Sequence, residues 1–245
     1  MHTDKRNNKS TQSMTVKIDY FSDVLCVWAY LGQIRVDELK QTFGDEINIH
    51  YRFVQIFGAA KQQVSKNWEK KGGLAGYRNH LLKMAENWPH IEINPKVWAE
   101  VAPESSTSVH LYLKAIQILI EQGEIPNKPC DNDQGRSIFE QVMWMFREAF
   151  FRDGRNISTR SVQDEIATTL ALPLAAIHSV IDQGQAHAEL YWDDEAKQNY
   201  RVPGSPTLVL NEGRQLLFGN VGYRVMDANV RELMHHNLQG EASWC

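Results

Sequence analysis

The sequence predicts an α/β protein with a β-α-β unit near its start, a β-β-α unit near its end and a large all-helical block between them. Three observations carry this prediction. Residues 15–21, TVKIDYF, and 47–54, INIHYRFV, alternate apolar with polar positions and are rich in β-branched and aromatic side chains, as strands are. From about residue 60 to 198 apolar residues recur at helical spacing, with no convincing strand. Strand character returns at 205–211, SPTLVLN, and 215–220, QLLFGN, around the turn NEGR, which reads as a β-hairpin.

Between the first two strands, Tyr30, Leu31, Ile34 and Leu39 fall near helical spacing, and Gly44 stands where a helix would stop. A crossover of this length joins parallel strands, right-handed by steric preference. In the middle block, HLYLKAIQILIEQG and IFEQVMWMFREAFFRDG are the clearest helices, each ending at a glycine. SVQDEIATTLAL carries a capping signature, with Ser161 as N-cap and Asp164 three residues on, and LPLAAIHSVIDQG supplies a further helix. DANVRELMHHNLQ closes the chain as a helix. A β-α-β unit followed by a β-β-α unit is the thioredoxin fold. We therefore expect a thioredoxin-like domain from residues 15–59 and 199–240, with an inserted helical domain at 60–198. Residues 1–14 are polar, without an apolar segment, and read as a disordered leader rather than a secretory signal, with Met14 an alternative start.

The 245 residues suffice for one large domain or a small one with a long insertion, and 42% hydrophobic with 23% charged residues supports an ordinary core. A net charge of -4 argues against nucleic acid or an anionic membrane as partner. No segment approaches the roughly 20 apolar residues that span a bilayer. The three cysteines, Cys26, Cys130 and Cys245, are too few and scattered for a disulfide framework and lack metal-ligand spacing, which points to the reducing cytoplasm.

DVLCVWAYLG, residues 23–32, places Cys26 where a strand hands over to a helix. With SVHLYLKA, FREAFFRDGRNIS and RVPGSPTLVLNEG, it resembles the DsbA-like branch of the thioredoxin superfamily, over about residues 16–238. The similarity is to a subgroup holding FrnE-type dithiol oxidoreductases, 2-hydroxychromene-2-carboxylate isomerases and kappa-class glutathione transferases. FrnE-type members carry Cys-Pro-Trp-Cys. Here Val27 replaces the proline and Ala29 the second cysteine, while glutathione-using members have serine in place of Cys26. The resemblance implies a cis peptide before Pro206 facing Cys26, and homodimerisation by analogy.

A helix N-terminus offers unpaired N–H groups and about half a positive charge, so Cys26 is expected to be an activated thiolate and the catalytic nucleophile. The alternative is an inert buried cysteine. Ala29 cannot resolve a mixed disulfide. Three routes remain. Glutathione could act as co-substrate and resolve it, with no cofactor bound permanently. Cys26 could hold or polarise glutathione for an isomerase or transferase acting on a small electrophile. Cys130 or Cys245 could approach, though both read as incidental surface thiols. Ser205 and Pro206 are expected to dock glutathione or a thiol/disulfide substrate as an added strand; a plain proline at the start of a strand is the alternative. Trp28 reads as a cleft wall or a packed aromatic, and Asp23 as a buried acid or a cap. His110 sits where relatives carry Ala-His and reads as cleft lining or structural. Gly219 and Asn220 resemble the kappa-class stretch that holds the γ-glutamyl end of glutathione, without its charge. Trp144, Phe146, Phe150 and Phe151 read as core of the inserted domain, and His235–His236 as a solvated face. No metal site is expected. A redox-inactive peptide-binding or chaperone module is the reading from outside enzymology.

Overall fold

The computed structural model describes residues 15–130 and 135–235. Strand β1 (Val16–Ser22) leads to helix α1 (Val27–Phe43) and strand β2 (Ile47–Phe53). Seven helices follow: α2 (Ala60–Asn67), α3 (Gly73–Ala85), α4 (Thr107–Glu121), α5 (Ile138–Phe151), α6 (Arg160–Thr169), α7 (Leu174–Asp182) and α8 (Gln185–Asn199). The described chain ends with β3 (Thr207–Leu210), β4 (Gln215–Phe218) and α9 (Tyr223–His235). The four strands form one sheet in the order β2-β1-β3-β4. β1 and β2 are parallel, with Val16 opposite Ile47 and Ser22 opposite Phe53. β3 lies antiparallel to both β1 and β4, as the hairpin reading requires.

Sequence logic accounts for most of these boundaries. Gly44 ends α1 with φ 50°, a left-handed conformation that glycine adopts without steric cost, and its N–H donates to the Lys40 carbonyl. Two expectations need correction. Ser161 does not cap α6: the helix begins at Arg160 after Thr159, and Asp164 faces Tyr112 and His178 instead. A capping box does form at Ser137 and Glu140, where each side chain bonds the other's backbone N–H and starts α5. The last helix starts at Tyr223, four residues before the apolar spacing at Asp227 suggests.

The core is continuous from the sheet into the helices between β2 and β3. Tyr30 of α1 stacks on Trp144 and Phe151 of α5, with ring centroids 5.1 and 4.9 Å apart. The aromatic cluster assigned to the helical block is therefore also the surface on which α1 packs. Among the described residues no helix is long and apolar enough to cross a membrane, and no group of three or more His, Cys, Asp or Glu could hold a metal ion. The expectation for the His235 and His236 side chains lies outside the described residues, as do the leader 1–14 and Cys245.

A buried charge pair fastens α4 to α8 and β2. Lys114 Nζ lies 2.6 Å from Asp193 Oδ2, with both side chains almost wholly enclosed. The same carboxylate accepts the Phe53 N–H at 2.8 Å and an Arg52 Nη1 bond at 3.3 Å. Removing one member of such a pair strands the other in low dielectric, a loss of about 3–5 kcal/mol. Asp193→Ala is therefore expected to lower the unfolding free energy by about that amount, read from the urea midpoint at pH 7.

Candidate active site

The site forms where β1 ends and α1 begins. Cys26 is the N-cap of α1, with extended backbone (φ -79°, ψ 112°), and its carbonyl accepts the N–H groups of Ala29 and Tyr30. The Ser205–Pro206 peptide is cis, and the Cys26 thiol donates to the Ser205 carbonyl with Sγ 3.2 Å away. Ser205 Oγ accepts the Asp23 N–H at 2.9 Å. Cys26, Ser205 and Pro206 thus come together as expected from the sequence. The Ser205 carbonyl, expected to be open for a peptide, is instead taken by the thiol in this resting arrangement.

The electrostatics correct a second expectation. Cys26 is 5% exposed, and burial pushes its thiol above the ordinary value, with the Asp23 charge adding to the effect. Ser205 and the first-turn amides of Ala29 and Trp28 favour the thiolate but are outweighed. The helix terminus alone does not make an activated thiolate here, because the sulfur is shut away from water.

Asp23 is fully buried beneath this loop. Its Oδ1 accepts the Leu25 N–H at 2.9 Å, and its Oδ2 accepts the Phe57 N–H at 2.9 Å and the Ser106 hydroxyl at 2.8 Å. Burial raises its carboxyl from 3.8 to about 6, against the pull of these three bonds and of Arg147. Asp23 is therefore a buried acid, while Cys26 occupies the cap position. His110 is completely enclosed, and its Nε2 accepts the Val24 N–H at 3.3 Å, so it supports the loop from below rather than lining an open cleft.

Trp28 is 36% exposed beside Cys26, which makes it a rim residue and not packed core. Asn220 is exposed, and its side-chain carbonyl accepts from Arg35, which also lies over the Trp88 ring. Gly219 donates its N–H to the Pro206 carbonyl at 2.9 Å, so this loop abuts the cis-proline segment, but the Asn220 side chain is engaged with α1.

Sequence reading missed two residues. Tyr77 of α3 shares its electrostatic environment with Cys26 and Asp23: burial first, then the charges of those two groups, push its phenol up. Arg147 of α5 is fully buried and donates to Gln33 Oε1 and Ser22 Oγ, placing a cation under the site. Neither carries a local motif. Both are brought in by helices distant in the chain. Cys130 donates its N–H to the Arg136 carbonyl, and this segment meets the last turns of α1 through Arg136 with Asp37 and Glu140 with Lys40. At 1.5 Å per residue, that end of α1 is roughly 15–20 Å from Cys26.

The raised Asp23 carboxyl has a defined signature. The folded chain holds an extra proton between pH 3.8 and about 6, so the stability tied to Asp23 falls as pH rises through that window and is level above it. Relative to Asp23→Asn, the wild-type unfolding free energy is expected to drop by about 2 kcal/mol between pH 4 and pH 7, measured by urea titration at each pH.

Residues 17–129 match the family model described as DSBA-like thioredoxin domain. No curated protein is detectably similar in sequence. Solved structures share the fold at low identity. A probable DsbA oxidoreductase from Streptomyces coelicolor is similar with a TM-score of 0.68 and 16% identity, over 93% of this chain and 94% of its own. DsbM, a cytosolic disulfide reductase from Pseudomonas aeruginosa solved with GSH, has a TM-score of 0.61 and 14% identity, over 88% of this chain and 99% of its own. A 2-hydroxychromene-2-carboxylate isomerase has a TM-score of 0.57 and 15% identity, over 90% and 97%.

Proposed function

We propose that this chain, a DsbA-like thioredoxin-fold protein, is a thiol–disulfide oxidoreductase that works through the single sulfur of Cys26 with glutathione as the resolving thiol. The observation that supports it most is the contact of the Cys26 thiol with the Ser205 carbonyl, which sets the sulfur against the cis-Pro206 segment. A substrate strand pairing with Ser205 would displace that contact and present its disulfide to Sγ. DsbM, a disulfide reductase solved with GSH, lends weight to glutathione as partner. A reducing compartment suits this chemistry.

The reaction balances with one protein sulfur. The Cys26 thiol gives its proton to water or a neighbouring base, and the thiolate attacks a mixed disulfide between glutathione and a substrate thiol. Cys26 then carries the glutathione, and the substrate leaves as a thiol. A second glutathione thiolate attacks that mixed disulfide, releasing glutathione disulfide and the Cys26 thiolate. Trp28 at the rim would pack against the incoming chain.

The second reading is a glutathione-dependent isomerase or transferase. The raised Cys26 thiol favours it, because a neutral S–H can donate to a glutathione thiolate without attacking a disulfide.

One experiment separates the readings in a Cys130→Ser, Cys245→Ser background. Glutathione disulfide is added and Cys26 is analysed by mass, with turnover of a glutathione mixed disulfide followed in parallel. An adduct at Cys26 that reduced glutathione removes, with turnover falling about 100-fold or more in Cys26→Ser, is the expected result. No adduct, but protection of Cys26 from alkylation by reduced glutathione, would move the assignment to the isomerase or transferase. Neither result would leave a peptide-binding module.

A further inference from the structure

Helix α4 carries a polar stripe on a face that should be apolar. Ser106 caps it, and His110 and Lys114 follow at four-residue steps, so all three lie in one row. Their exposures are 0%, 0% and 2%. The row runs from the Asp23 carboxyl, which accepts from Ser106 Oγ, to the Asp193 carboxylate, which pairs with Lys114. His110 stands in the middle, stacked on Phe53 with ring centroids 5.1 Å apart.

The contact between His110 Nε2 and Asp23 Oδ1, at 3.7 Å, has the look of an ion pair. The hydrogen bonds contradict that. Nε2 accepts the Val24 N–H, so its lone pair is in use and the ring proton sits on Nδ1. Asp23 Oδ1 accepts the Leu25 N–H. With Asp23 ionised, two acceptors therefore face each other with no proton between them. Nδ1 has no partner among the described residues, although burying an unpartnered donor is costly.

We propose that His110 is a positioning residue for the Cys26 loop: a neutral imidazole whose Nε2 holds the Val24 amide and sets its partial negative charge 3.7 Å from Asp23 Oδ1, so that helix α4 controls how firmly the active-site carboxyl keeps its proton. A partially negative nitrogen beside a carboxylate disfavours its charged form, and a charged Asp23 in turn disfavours the Cys26 thiolate. His110 acts as a fixed dipole because burial, followed by the charges of Lys114 and Arg147, pushes its own titration down to about 3. Among the other ionisable groups nearby, Arg147 of α5 lowers the Asp23 carboxyl, while Asp23 in turn raises Cys26 of the same loop and Tyr77 of α3. None of the three contributes a hydrogen bond to its carboxylate.

The proposal rests on Cys26 being the working sulfur, but its test needs neither glutathione nor a substrate. The rate of Cys26 alkylation by iodoacetamide is followed from pH 4.5 to 9 in the full chain with Cys130 and Cys245 changed to Ser. Wild type is expected to show a lower inflection that Asp23→Asn removes. In His110→Phe, which removes the lone pair, that inflection should move to lower pH, equivalent to about a threefold weaker hold on the proton. In His110→Gln, whose amide oxygen can accept the Val24 N–H, it should return toward wild type. An inflection at the same pH in wild type and in a folded His110→Phe would overturn the proposal.

Should His110→Phe fail to fold, histidine nitrogen NMR on the wild-type chain decides. A neutral ring protonated at Nδ1 at pH 7, whose Nε2 signal shifts as Asp23 titrates, is expected. A charged ring, or one protonated at Nε2, would overturn the proposal.

Discussion

The Asp23 carboxylate is the junction on which the site is assembled. Its three hydrogen bonds reach three separate segments: Leu25 in the loop that carries Cys26, Phe57 in the loop leaving β2, and Ser106 at the start of α4. The Leu25 and Ser106 donors are buried and that of Phe57 is partly so, so losing the acceptor would leave two buried polar groups unsatisfied at once. Bringing a carboxylate into such a place is costly, and the cost appears as its raised proton affinity. The position of Cys26 against Ser205 follows from this anchorage, since the Asp23 N–H also holds the Ser205 hydroxyl.

The helices between β2 and β3 are consequently part of the site and not an appendage to it. α3 supplies Tyr77, α4 supplies Ser106 and His110, and α5 supplies Arg147. Among the described residues no carboxylate touches the enclosed Arg147 guanidinium, which is held by the neutral groups Gln33 and Ser22. Its charge acts on Asp23 across a short stretch of low dielectric, where Coulombic effects are strong. Packing on α1 through Tyr30, Trp144 and Phe151 keeps these groups in register with the sulfur.

What could be read from the sequence was whatever local spacing encodes. The strands at 16–22 and 47–53, the helix stopped by Gly44 and the hairpin at 207–218 each carry their signal within a few residues. Cys26 and Ser205–Pro206 were legible for the same reason. Ser161 misled because a serine three residues before an acid is a weak pattern, satisfied inside a helix as readily as at its start. Tyr77, Arg147 and the roles of Asp23 and His110 depend on contacts spanning 34 to 125 residues, which no window of sequence contains. The acidity of Cys26 was misjudged because the helix terminus can be read from the sequence, whereas enclosure of the sulfur cannot.

That enclosure bears on how the protein survives in air. A thiolate exposed at a helix end, with alanine where a partner sulfur would stand, has no neighbour in its motif to trap a sulfenic acid as a disulfide. Peroxide would carry it to the sulfinic and sulfonic acids, which thiols do not reverse. Cys26 instead rests protonated, 5% exposed, its hydrogen pointed at a carbonyl. Both the ionised form and the open path that oxidants need are withheld until something displaces the Ser205 contact. A sulfur built this way is shielded by default, and the shield is the same few ångströms of packing that hold it against the cis-proline segment.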